Sequence, residues 1–139
     1  MSFSLAVWQA MLTAVYIADK VQAGEEDFVP TRQVADDLNI PAPSVARLLR
    51  SLNRAQIVET REGSRGGVRL SQPADQVTML AIVDAIEQQL PLFRTDSTPR
   101  VDGPTPKRRQ AALRASLDNA EQAMRASLQD VTVADISAL

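Results

Sequence analysis

The segment TRQVADDLNIPAPSVARLLRSLNRAQ (31–56) constrains the fold of this chain more than any other. Thr31 is a residue type that caps helix N-termini, and the apolar spacing behind it predicts a short helix over 32–38. Prolines follow, and the spacing then predicts a second helix over 44–56. Proline is tolerated in a first helical turn because the amide that it removes has no partner there. Two short helices with so tight a connection indicate a helix-turn-helix.

The second helix of this pair has one apolar side and one basic side. Apolar residues recur at i, i+3, i+4 and i+7, the spacing of a helix face that packs on a core. These inner positions are Val45, Leu48, Leu49 and Leu52. Arg47, Arg50 and Arg54 fall on the remaining face. We therefore expect a helix that packs on its apolar side and presents positive charge on the other.

A short β-hairpin is predicted directly after the helix-turn-helix. IVETR (57–61) and GVRLS (67–71) alternate with period two, as strands do, and they flank a glycine-rich turn. Three of the five glycines of the chain, Gly63, Gly66 and Gly67, lie in or beside that turn. We interpret them as residues that let the tip turn tightly and bring the backbone close to a partner. A hairpin in this position is a wing.

Positive charge is concentrated where this motif lies. Residues 41–70 hold six arginines against two glutamates, a net charge of +4, whereas residues 1–40 have a net charge of −4. The whole chain has a formal net charge of −2, so the protein as a whole is not a polyanion binder. The local excess predicts that the arginines of the motif meet a phosphate backbone.

The N-terminal segment is predicted to form an apolar helix from Ser4 to Val21. One face is marked by Leu5, Trp8, Leu12 and Val15, and the other faces are also poor in polar residues. A helix of this kind needs cover on most sides, from its own domain alone or together with a second subunit. Its apolar run (3–18) is shorter than the roughly 20 residues of a membrane span, and no targeting signal is visible. We expect a cytoplasmic protein without a membrane partner.

The C-terminal part is predicted to contain a helix over 76–89, a proline-rich loop over 91–106 and a long helix that ends near Leu128. Thr105 is expected to cap the long helix. Its narrow apolar stripe predicts a dimer seam, because such a helix in a small domain commonly packs on its symmetry mate. The stripe consists of Leu113, Leu117, Ala120, Met124 and Leu128. Thr132 and Asp135 have the spacing of a capping box. The predicted units are a winged helix-turn-helix (1–90), the loop, and a dimerisation helix with a final turn (107–139).

The residue types that are missing restrict the chemistry. The chain has no cysteine and no histidine, which excludes disulfides and thiolate metal sites and removes the usual general base. An enzyme would have to use carboxylates, hydroxyls and two lysines. We therefore expect no catalysis, no cofactor and no metal. The acidic clusters Glu25–Glu26–Asp27 and Asp36–Asp37 are interpreted as solvated surface charge.

At this point the sequence resembles the Rrf2 family of bacterial winged-helix transcription regulators. The resemblance extends over nearly the whole chain and is most specific from Val29 to Leu70, and it includes VTMLAIVDAIE and the ending VTVADI. It implies a homodimer, built on the long C-terminal helix, that binds a pseudo-palindromic operator in double-stranded DNA.

Two departures from the family pattern affect what the resemblance implies. Many relatives ligate an iron–sulfur cluster through three cysteines in the loop before the long helix, whereas residues 92–106 have none, so the chain resembles a cluster-free branch. The family wing commonly has Arg-Gly-Pro before its paired glycines. Here the matching residues are Glu62, Gly63 and Ser64, which places a negative charge where an arginine is usual. Arg61 and Arg65 are candidates to replace it.

We therefore predict a mainly α fold with one small β-hairpin, a winged helix-turn-helix followed by a long dimerisation helix. The predicted function is that of a DNA-binding transcriptional regulator, with repression favoured over activation. Arg47 is placed to pair with guanine and Ala46 to touch a thymine methyl, while arginines further along the helix and in the wing meet phosphates. The residues expected to contact DNA are Thr31, Ala42, Pro43, Ser44, Ala46, Arg47, Arg50, Arg54, Arg61, Ser64, Arg65 and Gly66.

Two alternatives stay open from the sequence. One is a winged-helix regulator of another family that responds to an unidentified small-molecule effector bound in its dimer interface. The other is a protein-interaction module on the same scaffold that has lost DNA binding, an alternative that Glu62 favours and the six arginines between 47 and 69 oppose.

Overall fold

A computed structural model describes residues 4–139. Residues 1–3, which include Phe3 of the apolar N-terminal run, lie outside this description. The described elements are α1 (Leu5–Gln22), α2 (Thr31–Leu38), α3 (Ala42–Arg54), β1 (Val58–Arg61), β2 (Gly67–Leu70), a 3₁₀ turn (Ala74–Gln76), α4 (Met79–Glu87), α5 (Pro104–Gln129) and α6 (Val133–Ser137). The strands form one antiparallel hairpin. The predicted mainly helical fold with one hairpin is confirmed.

The buried side of helix α1 is not the predicted face of large apolar residues. It is the opposite side of the helix. Its core positions are small or β-branched: Val7, Ala10, Ala14, Ile17 and Ala18. Leu5 and Trp8 are 68% and 60% exposed, so this domain does not cover them, and their cover by a second subunit stays a prediction. Small side chains let other helices approach α1 closely, whereas the apolar spacing cannot identify the buried side of a helix that is apolar nearly all round.

The helix-turn-helix forms as predicted, with earlier helix starts. Asn39 takes a left-handed backbone conformation (φ 52°) that ends α2, and buried Ile40 donates its N–H to the Ala35 carbonyl at 3.0 Å. The Pro41 carbonyl accepts from the amides of Ser44 and Val45, so α3 begins at Ala42 and not at residue 44. The four predicted inner positions of α3 are all buried.

Two predicted helix caps were wrong, both for the same reason. The Pro30 carbonyl accepts the first amide bond of α2, from Val34 at 3.2 Å, so Thr31 is the first helical residue and its side chain caps nothing. Helix α5 begins at Pro104 after Gly103, which has φ 117°, and Thr105 therefore lies inside the helix. In both cases the backbone carbonyl of the residue before the helix, Pro30 or Gly103, accepts the first helical amide bond, so the helix begins without a side-chain cap.

The wing pairs Val58 with Leu70 and Arg61 with Gly67 at its two ends. A further bridge joins Val29 to Val68, through two backbone hydrogen bonds of 2.8 Å. The segment before α2 thus adds an edge to the hairpin, a pairing of residues 39 positions apart. Val29, Val58 and Val68 are all in the core, which fixes the base of the wing on the helices.

The C-terminal residues return to the same core. The predicted helix over 76–89 is shorter, because Thr78 caps α4 by accepting from the Ala81 amide at 3.0 Å. Thr78 also bridges to Thr132, and Val133 is fully buried in the core where α6 contacts α1 and the 3₁₀ turn. The capping box of Thr132 and Asp135 at the start of α6 is confirmed.

Residues of the C-terminal half of α5 contact α4, the loop that follows it and the core. Both terminal guanidinium nitrogens of Arg125 donate hydrogen bonds to the Asp84 carboxylate at 2.9 Å. The Leu92 amide donates to the Glu121 carboxylate, and Leu128 packs partly against the core. None of the 26 residues of α5 is fully buried, and Leu113 is 67% exposed. Within its apolar stripe Leu113 and Ala120 are exposed, whereas Leu117, Met124 and Leu128 are partly buried by their own chain.

Candidate nucleic-acid interface

The twelve residues predicted to contact DNA are available at the surface. Ten of them are exposed, and only Ser44 and Gly66 are partly buried. The core pattern of α3 explains this arrangement for the helix. Because Val45, Leu48, Leu49 and Leu52 face inward, the positions between them face outward.

A groove of about 790 Å³ runs between α3, the start of α2 and the wing. It brings together seven of the predicted residues: Thr31, Ala46, Arg50, Arg54, Arg61, Ser64 and Gly66. A second groove of about 780 Å³ lies between α2 and the start of α3, and it adds Ala42 to the shared residues Thr31 and Ala46. Pro43, Ser44, Arg47 and Arg65 line neither groove.

The charge of the larger groove is mostly positive. Four arginines line it, Arg32, Arg50, Arg54 and Arg61, against one acidic lining residue, Glu62. Within residues 4–139 none of these four forms an ion pair with a carboxylate. Arg54 is within hydrogen-bonding distance of the Ser51 hydroxyl, at 3.4 Å. Exposed guanidinium groups without a carboxylate partner keep their donors available for an external anion.

The wing arginines differ in their surroundings. Arg69 is paired with Glu59 across the hairpin at 2.5 Å, which neutralises it. Arg61 donates to the Arg65 carbonyl at 3.2 Å, across the wing tip. Both guanidinium groups also lie over the Phe28 ring, with centroid distances of 4.3 Å for Arg61 and 4.4 Å for Arg69.

Two of the wing glycines, Gly66 and Gly67, lie too close to other backbone atoms of the chain for a side chain to fit. A Cβ on Gly66 would lie 2.1 Å from the Arg61 carbonyl oxygen, and one on Gly67 would lie 2.2 Å from the Val29 carbonyl oxygen. Real side chains do not approach backbone so closely, so glycine is required at both positions. The close approach is therefore to the chain's own backbone, whereas the sequence interpretation assigned it to a partner. A contact of Gly66 with DNA stays a prediction.

Arg32, Asn53 and Phe28 were missed in the sequence. Arg32 and Asn53 line the groove, and the Phe28 ring contacts the guanidinium groups of Arg61 and Arg69. Arg32 directly follows the predicted cap of α2, and this position at the start of the helix-turn-helix is the sequence signal that indicates it. Phe28 gave no such signal, since its contacts with Arg61 and Arg69 span more than 30 residues of sequence.

A metal centre is not supported by the donor atoms present. The loop between α4 and α5 has no cysteine or histidine, and one of its carboxylates, Asp96, is held by Arg94 at 2.7 Å. In the described part of the chain no three acidic, histidine or cysteine side chains converge. These residues do not fit an iron–sulfur cluster. None of the helices described is long and apolar enough to cross a membrane.

A helix-turn-helix followed by a hairpin, with a basic groove between the recognition helix and the hairpin, defines a winged-helix protein of the nucleic-acid-binding type. The Rrf2 family profile, described as an iron-dependent transcriptional regulator, matches residues 6–138. The chain belongs to the Rrf2 family.

Individual relatives agree with this assignment. The HTH-type transcriptional repressor NsrR of Streptomyces coelicolor is 30% identical over 118 residues, 85% of this chain and 76% of NsrR. The Synechocystis protein slr0846 is 38% identical over 71 residues, so the matched part spans about half of both proteins, 50% of this chain and 48% of slr0846. CymR of Bacillus subtilis, the global cysteine regulator, has the same fold, with a TM-score of 0.71 at 19% identity and coverage of 99% and 97%.

Proposed function

We propose that this protein is a sequence-specific DNA-binding regulator of transcription that acts as a homodimer on a pseudo-palindromic operator. The observation that carries the proposal is the groove between α3 and the wing, with its four arginines free of carboxylate partners among the described residues. Arginines without carboxylate partners can bind the phosphates of duplex DNA, and the adjacent helix α3 can enter the major groove.

The contacts divide into base readout and phosphate binding. The first turns of α3 would enter the major groove, with Arg47 placed to pair with guanine and Ala46 to meet a thymine methyl. Arg47 is exposed and weakly held, with its guanidinium 3.5 Å from the Ser44 hydroxyl, so it is free to reorient. Arg50, Arg54 and the wing would meet phosphates on either side and fix the register.

The long helix supports the proposed dimer in two ways. Two residues of its apolar stripe, Leu113 and Ala120, are exposed, and Leu113 is exposed to 67%. Its charge is also uneven, because residues 104–116 hold four basic and no acidic residues, whereas residues 117–129 hold Asp118 and Glu121 against Arg125, a net charge of −1. An antiparallel pair of α5 helices would place the basic half of one against the weakly acidic half of the other. The proposed seam is Leu113, Leu117, Ala120, Met124 and Leu128.

Repression and a cytoplasmic location are the finer parts of the proposal. The name of NsrR describes it as a transcriptional repressor, and a 30% identical relative supports the same direction of regulation here. A dimer over a promoter blocks polymerase by occupancy alone, which needs no second interaction surface. A protein that binds chromosomal DNA in a bacterial cell works in the cytoplasm.

The direct test is a selection of genomic fragments by the purified protein, followed by gel-shift titration of the DNA upstream of its own gene. We expect a retarded complex at nanomolar protein with a footprint of two half-sites about one helical turn apart. A protein that retains no duplex at low salt would contradict the proposal and favour the protein-interaction alternative. Transcription from the bound promoter in vitro then separates repression from activation.

A further inference from the structure

Phe28 lies where the acidic loop before α2 meets the wing. Its partly buried ring carries two guanidinium groups, of Arg61 at 4.3 Å and of Arg69 at 4.4 Å. Cations at such distances from an aromatic face are attracted by the ring quadrupole. One side chain from outside the hairpin thus contacts both of its strands.

The backbone fixes Phe28 in this place. The next residue, Val29, exchanges two hydrogen bonds of 2.8 Å with Val68 of β2. Gly67 allows this approach, since any larger residue would collide with the Val29 carbonyl. In the hairpin register Glu59 is opposite Arg69 and Arg61 is opposite Gly67. Side chains two residues apart on a strand share a face, so Glu59, Arg61 and Arg69 lie on one face of the wing.

The two arginines on the ring are not equivalent. Arg69 has its charge balanced by Glu59 at 2.5 Å. Arg61 has no carboxylate partner among the described residues, and it lines the groove beside Arg50 and Arg54. Stacking engages the flat face of a guanidinium and leaves its in-plane N–H donors free. The Arg65 carbonyl accepts one of these donors at 3.2 Å, so Arg61 is held and can still donate to an anion.

We propose that Phe28 is a positioning residue that holds the Arg61 guanidinium for a phosphate of duplex DNA. The inference rests on the proposed DNA binding and gives the wing its phosphate contact despite the negative charge of Glu62. An arginine that is already ordered loses less side-chain entropy when it binds, which strengthens the contact without any new atom at the interface. Phe28 itself touches no DNA.

The test uses the full-length protein and a fluorescent 30-base-pair duplex of mixed sequence, so that phosphate contacts are measured without knowledge of the operator. Phe28→Leu keeps an apolar side chain and removes the aromatic face. We expect it to weaken binding roughly 5–30-fold, from the loss of one exposed cation–π contact in each of two subunits. Phe28→Tyr and Phe28→Trp restore a ring face, and we expect both to bind within about 2-fold of the native protein.

A double-mutant cycle separates positioning from a general effect on folding. In an Arg61→Ala background, Phe28→Leu should cause no further loss, because the group that it positions is gone. Arg61→Ala should also reduce the slope of log affinity against log salt by about one phosphate contact per subunit. Thermal unfolding of each variant confirms that it is folded at the assay temperature.

Two results would overturn the inference. Native-like binding by Phe28→Leu would mean that Arg61 needs no support, and an equal loss with and without Arg61 would mean that Phe28 acts through the fold. Failure of the native protein to bind any duplex is a different result, since it removes the proposed function and this inference with it.

Discussion

Replacement of Gly67 by alanine tests how the wing is anchored, and Gly63 offers a matched control. Both residues have positive φ, +149° for Gly67 and +103° for Gly63, so alanine is strained at either position. They differ in the room that is available for a Cβ atom. A Cβ on Gly63 would have no atom within 4 Å, whereas one on Gly67 would lie 2.2 Å from the Val29 carbonyl oxygen.

The expected magnitudes follow from this difference. A side chain in a glycine-only backbone conformation costs of order 1–3 kcal/mol, and Gly63→Ala should show this cost alone. Gly67→Ala must also push Val29 away, which breaks its two hydrogen bonds with Val68 at about 1 kcal/mol each. We expect Gly67→Ala to lower the free energy of unfolding by about 2 kcal/mol more than Gly63→Ala, and by about 3–5 kcal/mol in total.

The assay is urea denaturation followed by circular dichroism, with both variants at one protein concentration because unfolding of the proposed dimer would depend on concentration. The slope of the transition should stay the same while its midpoint falls, further for Gly67→Ala. DNA binding by Gly67→Ala should also weaken, because the wing loses the backbone hydrogen bonds that join it to Val29. Equal midpoints for the two variants would refute the account of the wing base.

The remaining predictions concern assembly, salt and the docking of α5. Leu117→Glu with Met124→Glu should give monomers by light scattering with helical content largely kept, because unpaired charges in an apolar seam cost several kcal/mol. The control, Ala115→Glu with Gln122→Glu on the opposite side of the helix, should stay dimeric. If both double variants are dimers, the proposed seam is wrong. Affinity for DNA should fall roughly 10³–10⁵-fold between 50 and 200 mM salt if a dimer makes six to ten phosphate contacts, so a flat response would count against the arginine groove. Asp84→Asn should lower the free energy of unfolding by about 1 kcal/mol, less at high salt, since its ion pair with Arg125 is partly exposed; an unchanged midpoint in urea would show that this pair does not hold α5 on α4.

The sequence predicted the elements whose signals are local. The inner face of α3, the glycine wing and the capping box of Thr132 each depend on residues within a few positions of one another. Patterns of that kind reflect the helical and strand periods directly. The helix starts were misplaced because the carbonyl of a proline, or a glycine with positive φ, can begin a helix without a side-chain cap.

What the sequence did not show depends on contacts between distant segments. The buried side of α1 is the one with alanines, and only the packing of the other helices around it decides this. The role of Phe28 requires the bridge between Val29 and Val68, and nothing near position 28 indicates that pairing. The exposure of the residues predicted to contact DNA follows from the inner face of α3, yet their grouping into two grooves needed the placement of the wing against α3.

The central claim is that the groove between α3 and the wing binds DNA, and a charge-matched pair of variants tests it most directly. Arg50→Glu with Arg54→Glu reverses two charges of the groove, while Arg94→Glu with Arg100→Glu makes the same change of net charge in the exposed loop before α5. The measurement is the affinity of each variant for the same fluorescent duplex at one salt concentration. The groove variant should lose binding by at least roughly 100-fold, while the loop variant should stay within about 5-fold of the native protein. Equal losses, or a groove variant that binds like the native protein, would contradict the central claim.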